Sequence, residues 1–213
     1  MFPHMATPLL IGREHSIHAI DAAMEHEKLI MICSQKDSSV DDPRLDELYE
    51  YGTVARVVHS MRLPNKLLKV MVEGLYRARI IKAVKNDTCL EADVEIIKED
   101  VVPSDKEYTA LMHRTHEMFT HYVHAAGTIP SDVISGIESM SDEYQRLYTM
   151  AAAVSSSVEK KQPILDAPAL RDQMLGLGQL LSGEIELLKL EEEIDVKVSD
   201  SIQKHQRKFF IQE

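Results

Sequence analysis

Two periodicities divide the chain. Up to about residue 99 the apolar positions fall in short runs or alternate with polar ones, which is the pattern of strands. Residues 29–33, Leu-Ile-Met-Ile-Cys, form an apolar run of the buried-strand type, and residues 53–58 open a second strand rich in β-branched side chains. Pro64-Asn65 marks a turn. Lys69-Val70-Met71-Val72-Glu73 then alternates as a half-buried strand does. Gly74 separates it from the next run, residues 78–81, and reads as a bend or bulge. The turn signal Asn86-Asp87 precedes a last strand over residues 90–97. One helix interrupts the series: between residues 13 and 27, Ile17, Ile20 and Met24 recur at helical spacing. Antiparallel strands with one helix predict a small β-rich α+β lobe, a partly closed pseudo-barrel, over residues 1–101.

After Val101-Val102-Pro103 the period becomes helical. Ser104 and Glu107 form an S-x-x-E capping box, and Tyr108, Leu111, Met112, Thr115, Phe119 and Tyr122 mark the apolar face that follows. A second helix is predicted after Pro130 with Ser131 as its cap. A third begins at Ser141, buries Tyr144, Leu147, Tyr148 and Ala151, and ends at Ser155-Ser156-Ser157. A short one fits residues 159–165. Asp166 and Pro168 predict the start of the last helix, with Gly176, Gly178 and Gly183 splitting or kinking it. Beyond Gly183 no breaker occurs, and Leu187, Leu190, Ile194, Val198, Ile202, His205 and Phe209 keep steps of three and four. A helix over residues 184–213 would extend about 45 Å at 1.5 Å per residue, more than a small bundle covers. It is expected to project or to pair with another chain, with Ile194, Val198, Ile202 and Phe209 as the candidate oligomerisation stripe. Residues 104–213 are thus an all-α bundle ending in a long helix.

Composition narrows the function. With 213 residues, 44% of them apolar, the chain supports one large domain or two small ones. A net charge of -11 repels phosphate backbones and anionic membranes, so nucleic acid and membrane are poor partners. No apolar run reaches the length of a membrane span, and Met1-Phe2-Pro3-His4 is no signal peptide. Cys33 and Cys89 lie in apolar runs and read as buried, reduced thiols of a cytoplasmic protein. No G-x-x-x-x-G-K-[ST] loop and no G-x-S-x-G elbow occurs. Ser157 and Lys160 share a helix face, a spacing common by chance. His113, His116, His121 and His124 share a helix with Glu117, but His116 and His121 stand one residue too far apart for H-E-x-x-H. Five residues advance about 500°, which puts the second imidazole roughly 140° round the helix. His113, Glu117 and His121 do form an i, i+4, i+8 stripe; a solvated polar face is the preferred reading over a metal site. No catalytic residue, metal or cofactor is expected within this chain.

Several blocks in order resemble the amino-terminal region of the ATP-dependent Lon proteases. They are Phe2-Pro3-His4-Met5, Pro8-Leu9-Leu10-Ile11-Gly12-Arg13-Glu14 with Ser16-Ile17, Gln35-Lys36-Asp37, and Tyr51-Gly52-Thr53-Val54-Ala55. The most specific is Val72-Glu73-Gly74-Leu75-Tyr76-Arg77-Ala78-Arg79-Ile80. Glu184-Ile185-Glu186-Leu187-Leu188 and Gln206-Arg207-Lys208-Phe209-Phe210 resemble the helical segment ahead of the family's ATPase module. The resemblance implies a PUA-like lobe, then a helical bundle with a long final helix. It also implies a parent that is a homo-oligomeric, usually hexameric, serine protease using ATP and magnesium, with its nucleotide loop and Ser-Lys pair downstream of Glu213. The family pattern has a further apolar strand ahead of Phe2 that is absent here, so a free sheet edge is expected.

Such a region would recognise unfolded or degron-bearing polypeptides by an accessible apolar groove and edge backbone groups. The candidate lining residues are Phe2, Pro3, Met5, Met61, Leu63, Leu67 and Leu75, each at a turn or strand end. Arg77 and Arg79 are read as cross-strand partners of Glu73, Glu91 and Glu95. Two other functions remain at this stage: a stand-alone polypeptide-binding protein of the same domain type, and a metal-dependent hydrolase built on the histidine helix.

Overall fold

The computed structural model describes residues 1–84 and 88–211, with side chains omitted at residue 83 and from residue 204 onward. The turn signal Asn86-Asp87 and the side chains of His205 and Phe209 therefore lie outside the described residues. The elements are β1 (Ala6–Ile11), α1 (Glu14–Glu25), β2 (Leu29–Ile32), a 3-10 turn (Leu45–Glu47), β3 (Tyr51–Arg62), β4 (Leu68–Val84) and β5 (Glu91–Ile96). The helices α2 (Lys106–Ala126), α3 (Asp132–Glu138), α4 (Glu143–Ala153), α5 (Val158–Asp166) and α6 (Leu170–Ile211) follow. The expected class is observed: an antiparallel β-rich lobe with one helix, then a helical bundle with a long last helix.

The sheet order is β1-β4-β3-β2, and β5 pairs with the C-terminal half of β4. The two runs read as separate strands, residues 69–73 and 78–81, are parts of the single 17-residue strand β4. Gly74 sits at a bulge within it: Ala55 pairs with Gly74 and Val54 with Tyr76, which leaves Leu75 extra. Glycine is needed there because a Cβ would lie 2.7 Å from the Phe2 carbonyl oxygen, where the N-terminal segment crosses the strand. The inner face of the sheet packs Ala55, Val57, Leu68, Val70 and Val72 against Ile20 of α1.

A second core fills the bundle, with Phe119, Leu147, Tyr148, Ile164, Met174, Leu177 and Leu181 fully buried. Three helix boundaries differ from the sequence reading. The cap of α2 is Asp105, whose carboxylate accepts from the Tyr108 amide at 2.8 Å, and the cap of α4 is Asp142, accepting from Gln145 at 2.7 Å. A carboxylate is the stronger acceptor and complements the helix dipole, so it displaces the nearby serines. Asp166 ends α5 rather than starting α6. The glycines do not split α6, which is continuous over 42 residues. A Cβ on Gly176 or Gly178 would stand 3.6 Å from Ile164 of α5 or 3.9 Å from Thr115 of α2. Both are ordinary contact distances, so the helix tolerates these glycines, at about 1 kcal/mol each in propensity, because packing of α6 in the bundle outweighs that cost.

Lobe and bundle interlock. The Phe2 ring lies 5.6 Å from Tyr148 in a stacked geometry and belongs to the bundle core. His4 stacks on the same tyrosine and meets Glu99 at 2.7 Å. Gln162 donates to the Tyr51 carbonyl at 2.9 Å. Arg77, buried on β4, is the strongest tie. Its Nη1 donates to the Leu165 carbonyl at 3.0 Å and to that of Ala167, and its Nη2 to that of Pro168 at 3.0 Å. These oxygens belong to the last turn of α5 and the link into α6, the negative end of a helix dipole. The cross-strand carboxylate role expected of Arg77 is thus replaced by carbonyl binding. Arg79 keeps it, with Glu95 at 2.9 Å.

Candidate functional site

The outer face of the sheet follows from register alone. Val70 and Val72 face α1, so Lys69, Met71 and Glu73 face outward. Directly opposed residues of an antiparallel pair share a face. Three outward rows result: Ala6–Glu73–Arg56, Pro8–Met71–His59 and Leu10–Lys69–Met61. A second bulge, between Val57 and His59, pushes Val58 out beside them. All of these side chains are exposed, Leu10 at 63%, Val58 at 56%, Met61 at 46% and Met71 at 37%. Large apolar side chains thus lie contiguous and exposed across three strands, a patch of the kind on which proteins meet partners. Methionine suits it, since its flexible thioether adapts to differently shaped partners.

The predicted lining residues divide. Met61 stands on this face. Leu63 and Leu67 are half-buried in the β3–β4 hairpin, where the Leu63 amide donates to the Leu67 carbonyl at 2.8 Å. Leu75 is half-buried in the Gly74 bulge. Phe2 and Pro3 are buried and Met5 is half-buried, near Thr149 of α4. Those three sit in the joint between lobe and bundle, so reaching them requires the joint to open. Sequence reasoning missed Pro8, Leu10, Val58 and Met71. Met71 carried a usable signal: it is an apolar residue in the polar phase of an alternating strand, between Lys69 and Glu73.

Charge on the face is uneven. Glu73 is engaged by Arg56 at 3.7 Å, and Arg62 reaches back to Asp21 of α1 at 2.6 Å. Among the described residues no carboxylate forms an ion pair with Lys69. Its cross-strand neighbours are the apolar Leu10 and Met61.

The other constellations have structural occupations. Lys160 turns from Ser157 to Glu184, with Nζ 2.8 Å from the carboxylate, and Ser156 donates to the same oxygen at 2.9 Å. Ser157 caps α5. The Lys160 hydrogen bond, helped by Ser156, holds the Glu184 carboxyl below the usual glutamate range against the opposing pull of burial. His113 lies 3.5 Å from Glu117 on an exposed helix face, whereas His116 turns toward Glu138 at 3.9 Å. Among the described residues no group of three or more His, Cys, Asp or Glu is arranged to hold a metal. Cys89 is buried and Cys33 half-buried, both as free thiols, and burial pushes the Cys33 thiol up. No described helix is long and apolar enough to cross a membrane.

On the exposed half of α6, Leu187, Leu190, Ile194, Val198 and Ile202 are each 43–56% accessible. The predicted stripe is thus present and uncovered as far as the described side chains extend.

A β-rich lobe locked to a helical bundle with a long terminal helix is the architecture of Lon amino-terminal domains. It superposes on the N-terminal domain of a Mycobacterium avium complex Lon protease with a TM-score of 0.65 at 19% identity, covering 85% of this chain and 91% of that one. A Lon N-terminal domain protein from Xanthomonas campestris gives 0.56 at 14% identity, with the same coverage. In sequence, residues 1–182 match the ATP-dependent protease La (LON) substrate-binding domain. The Lon protease of Halothermothrix orenii is 37% identical over 192 residues, 90% of this chain and 24% of that protein. The Lon protease of Escherichia coli K12 is 32% identical over 213 residues, 100% of this chain and 27% of that protein. The chain belongs to the Lon substrate-binding domain family. It spans about a quarter of the length of the curated relatives it matches.

Proposed function

We propose that this chain is the polypeptide-recognition and assembly region of an ATP-dependent serine protease, and that it engages extended apolar segments of unfolded proteins on the outer face of β1, β4 and β3. The exposed row system around Leu10, Met61 and Met71 carries this reading. Unfolded chains share no sequence, only apolar side chains that folding would have hidden, and an open apolar sheet face recognises that property. Full burial of a Leu or Met side chain is worth roughly 1.5–3 kcal/mol. Covering three half-exposed ones yields a few kcal/mol, partly cancelled by ordering the guest, so weak, broad binding is the expected regime. Residues 1–101 form the recognition lobe and residues 104–213 the assembly bundle, whose stripe of Ile194, Val198, Ile202 and Phe209 meets neighbouring subunits of a hexamer. Proteolysis, ATP and magnesium belong to the parent enzyme, in the cytoplasm.

The test is binding of a reduced, alkylated and unfolded client protein, followed by fluorescence anisotropy. The combined variant Leu10→Ser, Met61→Ser, Met71→Ser is expected to weaken binding at least about tenfold, equivalent to 1.4 kcal/mol, with an unchanged circular dichroism spectrum. Equal affinity for the native client, or binding indifferent to all three substitutions, refutes the reading.

A further inference from the structure

We infer that Lys69 sets a charge preference on this face, so that the apolar segments it takes best carry an acidic residue. The inference rests on the reading above and adds what the apolar contacts cannot supply, a ranking among guests of equal hydrophobicity.

Three observations carry it. First, Lys69 stands in the outward row Leu10–Lys69–Met61, with an exposed apolar side chain directly across on each flanking strand and Met71 two residues along. A guest segment covering Leu10 and Met61 must also pass over the ammonium between them. Second, that ammonium has no ion-pair partner among the described residues, whereas the arginines of the neighbouring strand β3 are occupied: Arg56 by Glu73 and Arg62 by Asp21. Third, the chain is strongly acidic, at -11, yet this face presents Lys69 and Arg56 against Glu73 alone, with His59 beside them.

A guest that buries Leu10 and Met61 strips water from the lysine head. A neutral guest leaves that charge partly desolvated and unpaired, and a basic guest adds repulsion. An aspartate or glutamate in register supplies the missing partner where apolar neighbours keep solvent away, so the pair is worth more than an exposed one. The long methylene stem of Lys69 meanwhile continues the apolar row. One residue thus provides both adhesion and selection.

The experiment uses three fluorescein-labelled peptides of one Met/Leu/Ser composition that differ at a single central position: Ser, Asp or Lys. Each is titrated against the wild-type chain, Lys69→Met and Lys69→Glu, with folding checked by circular dichroism. The wild type is expected to bind the Asp peptide about three- to fivefold more tightly than the Ser peptide, and the Lys peptide least. The difference should shrink at 0.5 M salt, about the point at which screening reaches contact distances. Lys69→Met levels the series and Lys69→Glu inverts it. If the Ser peptide binds and loses affinity with Leu10→Ser, but the order of the three is flat or unaltered by Lys69→Met, the charge preference is overturned and the apolar reading stands. If no peptide binds, or Leu10→Ser together with Met71→Ser changes nothing, the apolar reading fails and the preference with it.

Discussion

Replacing Arg77 by alanine removes the cation that ties β4 to the end of α5. Three carbonyl oxygens, those of Leu165, Ala167 and Pro168, lose their donor. Among the described residues only the Ala167 oxygen keeps another, a long 3.4 Å contact from Gln173. A hydrogen bond to a charged group contributes about 1.5–3 kcal/mol, and a buried acceptor left bare costs about 1–3 kcal/mol. The contributions are not additive here, because one charge serves all three oxygens and its own burial cost disappears with it. A loss of about 3–5 kcal/mol follows, the range seen when a buried ionic contact is broken from one side. That is a large part of the 5–15 kcal/mol typical of a folded domain. A lysine cannot stand in, since one ammonium does not span the positions held by Nη1 and Nη2; Arg77→Lys should recover less than half of the loss. The chain has no tryptophan, so urea unfolding is followed by far-ultraviolet circular dichroism and tyrosine fluorescence. Hydrogen exchange should show faster opening at residues 163–170 before the sheet itself is affected. A destabilisation under about 1 kcal/mol, or a lysine variant equal to wild type, refutes the account of Arg77 as the tie.

Three further outcomes are expected. Glu184 has a carboxyl held below its ordinary range, so its contribution to stability is complete above that range and is lost as pH falls through the depressed value; Glu184→Gln should flatten that part of the stability profile, and an unchanged acid limb in urea titrations from pH 7 to 3 contradicts this. Gly52→Ala should destabilise by about 1–3 kcal/mol or more, because the added Cβ meets the Ile32 carbonyl oxygen and lies 3.2 Å from the Cys33 backbone, neither of which can turn aside; a melting temperature within a degree of wild type refutes it. Ile194→Asp with Ile202→Asp should leave the melting temperature unchanged, since both residues are exposed, yet weaken any self-association seen by sedimentation velocity over a wide concentration range; an association indifferent to both substitutions places the interface elsewhere.

The order of elements was legible because periods of two and of three to four are imposed by the backbone itself. Ile17, Ile20 and Met24 mark α1, and Tyr144, Leu147, Tyr148 and Ala151 mark α4, as local rules require. What local rules could not give is contact between distant segments. Gly74 reads as a break, yet β4 runs through it, with Leu75 bulged out beside it and Phe2 crossing above. Gly176 and Gly178 read as breakers, yet α6 runs through them because Met174, Leu177 and Leu181 beside them are buried in the bundle core. Phe2 looked free to meet a guest; its ring is taken by Tyr148, from a helix more than a hundred residues away. The outward face was half legible. Met61 was found at a strand end, whereas Leu10 and Pro8 join it only through the pairing of β1 with β4, which no local pattern reveals.

The span of α6 has a mechanical meaning. Its first half is clamped in the bundle core as far as Leu188, and residues 189–203 stand free of that core, with the helix running on to Ile211. That free arm measures about 35 Å at 1.5 Å per residue, so a tilt of about 5° at the clamp moves its tip by about 3 Å, close to one residue of an extended chain. The arm is therefore a lever whose fulcrum lies near Leu188, and the opposite end of the clamped half is the α5–α6 link that Arg77 grips from the sheet. The clamped half of α6 thus lies between the free arm and β4, the strand that also displays Lys69 and Met71.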